Sequence, residues 1–288
     1  MEFFVVAFLL GLAYVPLALG IFLSAKVFNI PDITTDGSFT LGAASFAIMI
    51  TNSVNPLLAI ILVMPMGAIA GAITGIIHTK LKVNALLSGI LVMTALYSIN
   101  LLIMGRSNIP LINTASIFQE VNNPNFLLIN LLKALGMIIL LVIIIIWLLK
   151  TDFGLTMRAA GSNETMIEAQ GVNPNKIKII GLALSNALVA FSAGLVTQLQ
   201  GFVDVNMGIG IVIAGLASVM MGETISNKFK RSTIILPIIM VAIAAVLFRL
   251  FIAFILVQGV EQVYVKLLTA LLVLIFLSLS NLKFIKKN

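Results

Sequence analysis

Cysteine is absent from this 288-residue chain, and histidine occurs once, at His78. The first absence excludes a disulfide framework and thiolate metal sites; the second excludes paired histidine ligands. Charge is scarce as well: Asp, Glu, Lys and Arg make up 9% of the residues, against about 25% in soluble domains. No G-x-x-x-x-G-K-[ST] occurs, so nothing in the chain resembles a nucleotide-cradling P-loop. A Ser-His-Asp triad would have to use His78, which stands beside Lys80 and Lys82 at the end of an apolar run, a surface position. These absences argue against an enzyme, and no catalytic residue, cofactor or metal is expected.

What is present is oil. Hydrophobic residues reach 61%, and the mean hydropathy is +1.19, a balance that only an integral membrane protein tolerates. The net charge of +7 does not mark a nucleic-acid binder, because the bases are scattered through short loops. The opening MEFFVVAFLLGLAYVPLALG lacks a basic start, and its apolar run continues to Leu23. It reads as a first membrane helix, not as a cleaved signal.

Apolar runs predict an all-α, polytopic protein with about nine (8–10) transmembrane helices, at 3–25, 38–52, 56–77, 84–105, 127–149, 177–199, 207–222, 232–257 and 262–280. Residues 1–288 form one membrane domain, with 150–178 as a polar segment inside it. Sidedness follows from basic residues in loops. His78–Lys82, the segment bearing Lys150, Arg158, Lys176 and Lys178, the loop with Lys228, Lys230 and Arg231, and the tail with Lys283, Lys286 and Lys287 all belong on the cytoplasmic side. That places the N-terminus outside and the C-terminus inside. Lys133 and Lys266 then fall near outer helix ends, within snorkelling reach.

Two segments resist being drawn as plain helices. NIPDITTDGSFTLG (29–42) and GFVDVNMGIGIVIAG (201–215) each set aspartate and glycine before a short, small-residue helix. Their matching positions in the two halves suggest broken or re-entrant helices in an inverted-repeat arrangement beside a solute path. Asp32, Thr34, Thr35, Asp36 and Ser38 in the first, with Asp204 and Asn206 in the second, are the polar pathway candidates; Asp36 or Ser38 also suits the N-cap of the second span. Gly42, Ala43, Ala44, Gly215, Ala217 and Ser218 offer a small-residue lining, or simply close helix packing. All ten carboxylates fall in loops or at span ends, which argues against a buried ion relay. Arg249 alone sits well inside a span, where it could pair with Glu261, line a water-filled cavity, snorkel outward or contact a solute.

The polar segment 150–178 is the most distinctive stretch. Ser162 or Asn163 caps a helix of about nine residues over 162–170, Glu164 complements its positive end, Gly171 stops it and Pro174 prevents its resumption. Such a helix is far too short to span, so it is presented to something. R-A-A-G-S-N-E-T-M-I-E-A-Q-G-V-N (Arg158–Asn173) resembles the cytoplasmic segment of permease subunits of ABC importers of the branched-chain amino acid and ribose type, with Glu168-Ala169 and Val172 as small departures. P-D-I-T-T-D-G-S-F-T-L-G-A-A (Pro31–Ala44) is similar to a branch linked with tryptophan, tyrosine or other amino-acid uptake.

The resemblance implies a permease of the bacterial cytoplasmic (inner) membrane that pairs with a second copy of itself and docks two ATPase subunits. It also implies that the permease receives a small polar solute, an amino acid, from an extracytoplasmic binding protein. Arg158, Gly161, Asn163, Glu164, Met166, Ile167, Glu168 and Gly171 would form the coupling site. Within it Met166 and Ile167 are the groove anchors, Glu164 and Arg158 the rim, and Gly161 and Gly171 the backbone-shaping positions. Membrane lipid is the remaining partner, and nucleic acid is not one. The alternative is an ion-coupled secondary transporter.

Overall fold

Asparagine and proline punctuate the helices. In the computed structural model, which describes residues 2–112, 114–118, 126–229, 234–260 and 264–285, Asn55 opens α3 (Pro56–Lys80) by accepting from the Leu57 amide, with Pro56 at the first helical position. Asn84 does the same for α4 (Ala85–Met104), and Asn173–Pro174 for α8 (Pro174–Gln200). An Asn side chain satisfies an orphan N–H, and proline there has none to lose. The other elements are α1 (Glu2–Phe22, continued by a wide π turn Leu23–Val27), α2 (Thr34–Thr51), β1 (Asn108–Pro110), α5 (Phe126–Lys150), α6 (Asp152–Ser162), α7 (Glu164–Ala169), β2 (Phe202–Asp204), α9 (Ile211–Ser226), α10 (Ile235–Val257) and α11 (Val265–Ile285).

Every expected apolar segment is a helix, and the chain is an all-α polytopic membrane protein. Among the described residues, six helices are long and apolar enough to cross a bilayer unaided: α1, α3, α4, α5, α8 and α10. The helices α2 and α9 are the two preceded by broken segments, and α9 is only 16 residues long. One short antiparallel ribbon joins distant loops, with Ile109 opposite Val203. Of the residues used for sidedness, Lys230, Arg231, Lys286 and Lys287 lie outside the described residues, as does Glu261.

α1 and α8 are the posts around which the bundle is built, 72% and 78% buried over their apolar windows, against 22% for α5. Small residues make that possible. Gly67, Gly71 and Gly75 recur every fourth residue on α3, and a methyl on any of them would meet the α8 backbone or side chains at Asn186, Leu182 and Ile179. Gly42 of α2 likewise faces Ala190, where a Cβ would come within 2.6 Å of Cα. Lipid is as apolar as leucine, so close backbone approach and interhelical hydrogen bonds hold such helices together. Two serines of α8 supply those bonds: Ser185 donates to the Gly20 carbonyl at 2.7 Å and Ser192 to the Ala13 carbonyl at 2.6 Å.

One end of the bundle gathers the basic residues. Gly75 packs on Ile179, Gly161 on the Val27 backbone, and Lys26 pairs with Glu223 at 2.6 Å. The end of α1, the α3–α4 turn, the α5–α8 segment and the end of α9 therefore share one side, with His78, Lys80, Lys82, Lys150, Arg158, Lys176, Lys178 and Lys228. The β-ribbon marks the opposite end.

Candidate functional site: a presented helix and two broken helices

At the basic end, Thr151 turns the chain out of α5 by accepting from the Gly154 amide, and α6 follows. This helix was not anticipated. Its buried face is Gly154, Met157 and Ala160. Asn163 then adopts an extended conformation and caps α7, its Oδ1 accepting from the Met166 amide at 3.1 Å and the Thr165 hydroxyl at 2.7 Å. The presented helix is thus six residues long rather than about nine, and its cap is Asn163 rather than Ser162. Gly171, at φ +80°, ends it in the left-handed conformation expected. Pro174 does not block a helix but opens the next one.

Met166 and Ile167 part company here. Met166 is 56% exposed, whereas Ile167 is 2% exposed and belongs to the chain's own core. Consecutive helical residues point about 100° apart, so one face cannot present both. Glu164 is bound to Lys178 at 2.6 Å. Arg158, Asn163 and Glu168 are exposed, and Gly161 is half-buried. Gly161 is helical, without positive φ; it matters because a Cβ would run into the Val27 carbonyl.

The broken segments enter from opposite ends, the relation an inverted repeat requires. Past the π turn, 28–33 runs without regular structure into the bundle, and α2 begins part-way along its neighbours: Gly37 faces Met93 and Leu96 in mid-α4, and Thr34 meets Thr74 of α3 hydroxyl to hydroxyl at 2.7 Å. Asp32 Oδ1 accepts from the Thr34 amide at 2.9 Å, and its Oδ2 from Asn186 Nδ2 at 2.7 Å. Neither Asp36 nor Ser38 caps α2. Asp36 reaches across to α9 instead, its Oδ2 accepting from the Gly210 amide at 2.8 Å and its Oδ1 from the Val212 amide at 2.9 Å. Gly208 permits this, since a side chain there would strike the Asp36 carbonyl and the Thr40 hydroxyl.

Asp32 and Asp36 hold loop and helix-start positions, as the sequence implied, but that loop is folded inside the bundle. They are 6% and 8% exposed, so the chain does bury carboxylates. Thr34, Thr35 and Ser38 are fully enclosed, and Ser38 Oγ has no partner. Asp204 is half-buried, capping the Asn206 amide at 2.8 Å, and Asn206 is exposed. Of the pathway candidates, only the two in the second segment are exposed or half-exposed in this conformation. The small residues Gly42, Ala43, Ala44, Gly215, Ala217 and Ser218 are buried, packing helices within the single chain. Asn186, Thr74 and Tyr14 were not singled out from sequence; isolated polar residues in otherwise apolar spans were the signal available for them.

A polytopic bundle with paired broken helices and a capped helix presented at its basic end is the build of a solute permease. The chain belongs to the family described as branched-chain amino acid transport system / permease component, whose pattern it matches over residues 3–277. It is a permease component of an ABC-type transport system. It is 40% identical over 266 residues to the tyrosine transport system permease protein of Clostridioides difficile, covering 92% of this chain and 87% of the relative. It is also 27% identical over 193 residues to the ribose import permease protein of Bacillus subtilis, covering 67% and 60%. To a probable branched-chain amino acid transport permease of Methanocaldococcus jannaschii it is 25% identical over 220 residues, covering 72% and 69%. No solved structure matches the chain.

Proposed function

We propose that the chain is the membrane subunit of an importer that moves an amino acid inward, driven by two separate ATPase subunits docked on α6 and α7. The basic end is the cytoplasmic one, which sets the N-terminus outside and the C-terminus inside. The path runs between two copies of the chain, and an extracytoplasmic binding protein delivers the solute at the β-ribbon end. One observation carries this reading: a six-residue helix, capped by Asn163, ended by Gly171 and showing Met166 to solvent. A transport subunit without a nucleotide site needs an engine, and this helix offers it a handle. The amino-acid assignment leans on the tyrosine permease relative.

Met166→Asp tests the docking. It should abolish co-purification of the ATPase while membrane insertion stays intact; undiminished association would remove α7 from the interface. An ion-coupled carrier is the competing reading, favoured by the buried Asp32 and Asp36. Both, however, are engaged as helix caps, which explains their burial without a relay. Uptake driven by an imposed ion gradient with an inactive ATPase would establish the carrier instead.

A further inference from the structure

Arg249 stands on the buried face of α10. Ile238, Val241, Ala245, Phe248 and Ile252 form the inward stripe beside it, while Ile239, Ile243, Leu247, Phe251 and Phe254 face outward. Its guanidinium carbon lies 3.4 Å from the centroid of the Tyr14 ring. Tyr14 in turn stacks on Phe39 of α2, centroids 6.1 Å apart and planes 13° from parallel. Phe39 is one turn beyond Asp36, so the cation stands near the level where the two helices are broken.

A charge at this depth is costly unless it faces protein or water and has a counter-charge. Among the described residues none is within ion-pair reach of Arg249: Glu223 is taken by Lys26, and Glu164 by Lys178. Asp32 is bonded to Asn186 and Thr34, and Asp36 to the α9 amides. The Tyr14 contact uses only the π face of the guanidinium. Its in-plane N–H donors, the fork that fits a carboxylate bidentately, are left for another partner. The other natural anion seat nearby, the N-terminus of α9, is already filled by Asp36.

We infer that Arg249, clamped on Tyr14, is a transient binding point for the α-carboxylate of the transported amino acid. This rests on the proposed function and deepens it, because a sugar offers no such group. A cation stacked on a ring, its in-plane donors paired with no described residue, gives a passing anion a weak and reversible stop.

The test uses the complete transporter, permease with ATPase and binding protein, in proteoliposomes supplied with labelled tyrosine, leucine or ribose. Arg249→Gln should lower amino-acid uptake about 10- to 100-fold, the worth of a charge-assisted pair, while ATPase co-purification and basal hydrolysis persist. Arg249→Lys, keeping the charge but not the fork, should fall between. Glu261→Gln should transport as the unaltered protein does. Equal uptake in Arg249→Gln and the unaltered protein overturns the inference, as does equal loss in the Gln and Lys variants. A Glu261→Gln defect matching Arg249→Gln would mean that the partner is internal. Failure of both Arg249 variants to accumulate in the membrane would make the guanidinium a packing element, again overturning it. If the unaltered transporter takes up ribose but neither amino acid, the substrate reading itself has failed.

Discussion

Removing the Asp36 carboxylate should loosen the start of α9, 174 residues further along the chain. Asp36→Ala deletes two hydrogen bonds from an 8%-exposed acceptor and strips the helix end of its compensating charge. A hydrogen bond to a charged group is worth about 1.5–3 kcal/mol. Two summed independently give about 3–6 kcal/mol, but they serve one helix end and overlap, so about 3 kcal/mol is the working figure. That exceeds the roughly 0.5–2 kcal/mol of an ordinary exposed cap, as burial demands. At about 1.4 kcal/mol per decade, amide exchange across 210–214 should accelerate about 100-fold, whereas exchange in α3 and α8 should hold. Asp36→Asn retains one acceptor and should recover about half of the loss in free energy. Hydrogen exchange read by mass spectrometry in nanodiscs resolves both. If Asp36→Ala leaves exchange at 210–214 within about threefold of the unaltered protein, the carboxylate does not hold α9 and this reasoning is wrong.

Gly161→Ala and Gly171→Ala should both destabilise, for different reasons: the first forces a methyl into the Val27 carbonyl at about 1–3 kcal/mol, and the second strains a φ of +80° at about 1 kcal/mol. Thermal unfolding in detergent ranks them, and a harmless Gly161→Ala would contradict the close approach. Cysteine at Asn206 should react with a water-soluble thiol reagent in the resting protein, and cysteine at Thr35 should not; prompt labelling at Thr35 would mean that the first segment is open to water. Lys26→Ala removes a half-exposed ion pair worth about 0–1 kcal/mol, so the melting temperature should barely move. Uptake per ATP hydrolysed should fall all the same; unaltered stoichiometry would deny the pair any part in coupling.

Helix positions were legible because each membrane span announces itself by an apolar run; the Asn-Pro starts of α3 and α8 emerge only in the fold, where Pro174 opens a helix instead of blocking one. Which face each helix buries was not, because a span is apolar all round and offers no moment to read. The Gly67, Gly71, Gly75 ladder, not singled out from sequence, was the signal available, since close backbone contact makes three glycines at that spacing useful. Met166 and Ile167 show the same limit: two adjacent apolar residues, one outward and one inward, indistinguishable by type. Asp36 failed for another reason. Capping rules assign an aspartate to the nearest helix start, and here the recipient is distant in sequence and adjacent only in the fold.

That distant cap changes how the two candidate regions relate. The stretch Lys26–Asp36 holds α9 at both ends, through the Lys26–Glu223 pair at its C-terminus and the Asp36 carboxylate at its N-terminus. The same stretch is gripped from the basic end: Gly161 of α6 lies against the Val27 backbone, and Phe28 fills the notch left by Gly181 of α8. Both notches are occupied at contact distance, so neither has room to absorb a displacement of α6. A shift imposed on α6 and α7 must therefore either rupture these contacts or carry residues 26–36 with it, and α9 is held by those residues. Close-packed interiors switch between discrete arrangements rather than deform continuously. The presented helix and the broken-helix pair are thus joined through one short stretch of backbone, the arrangement a permease needs if work done outside the membrane is to move a helix within it.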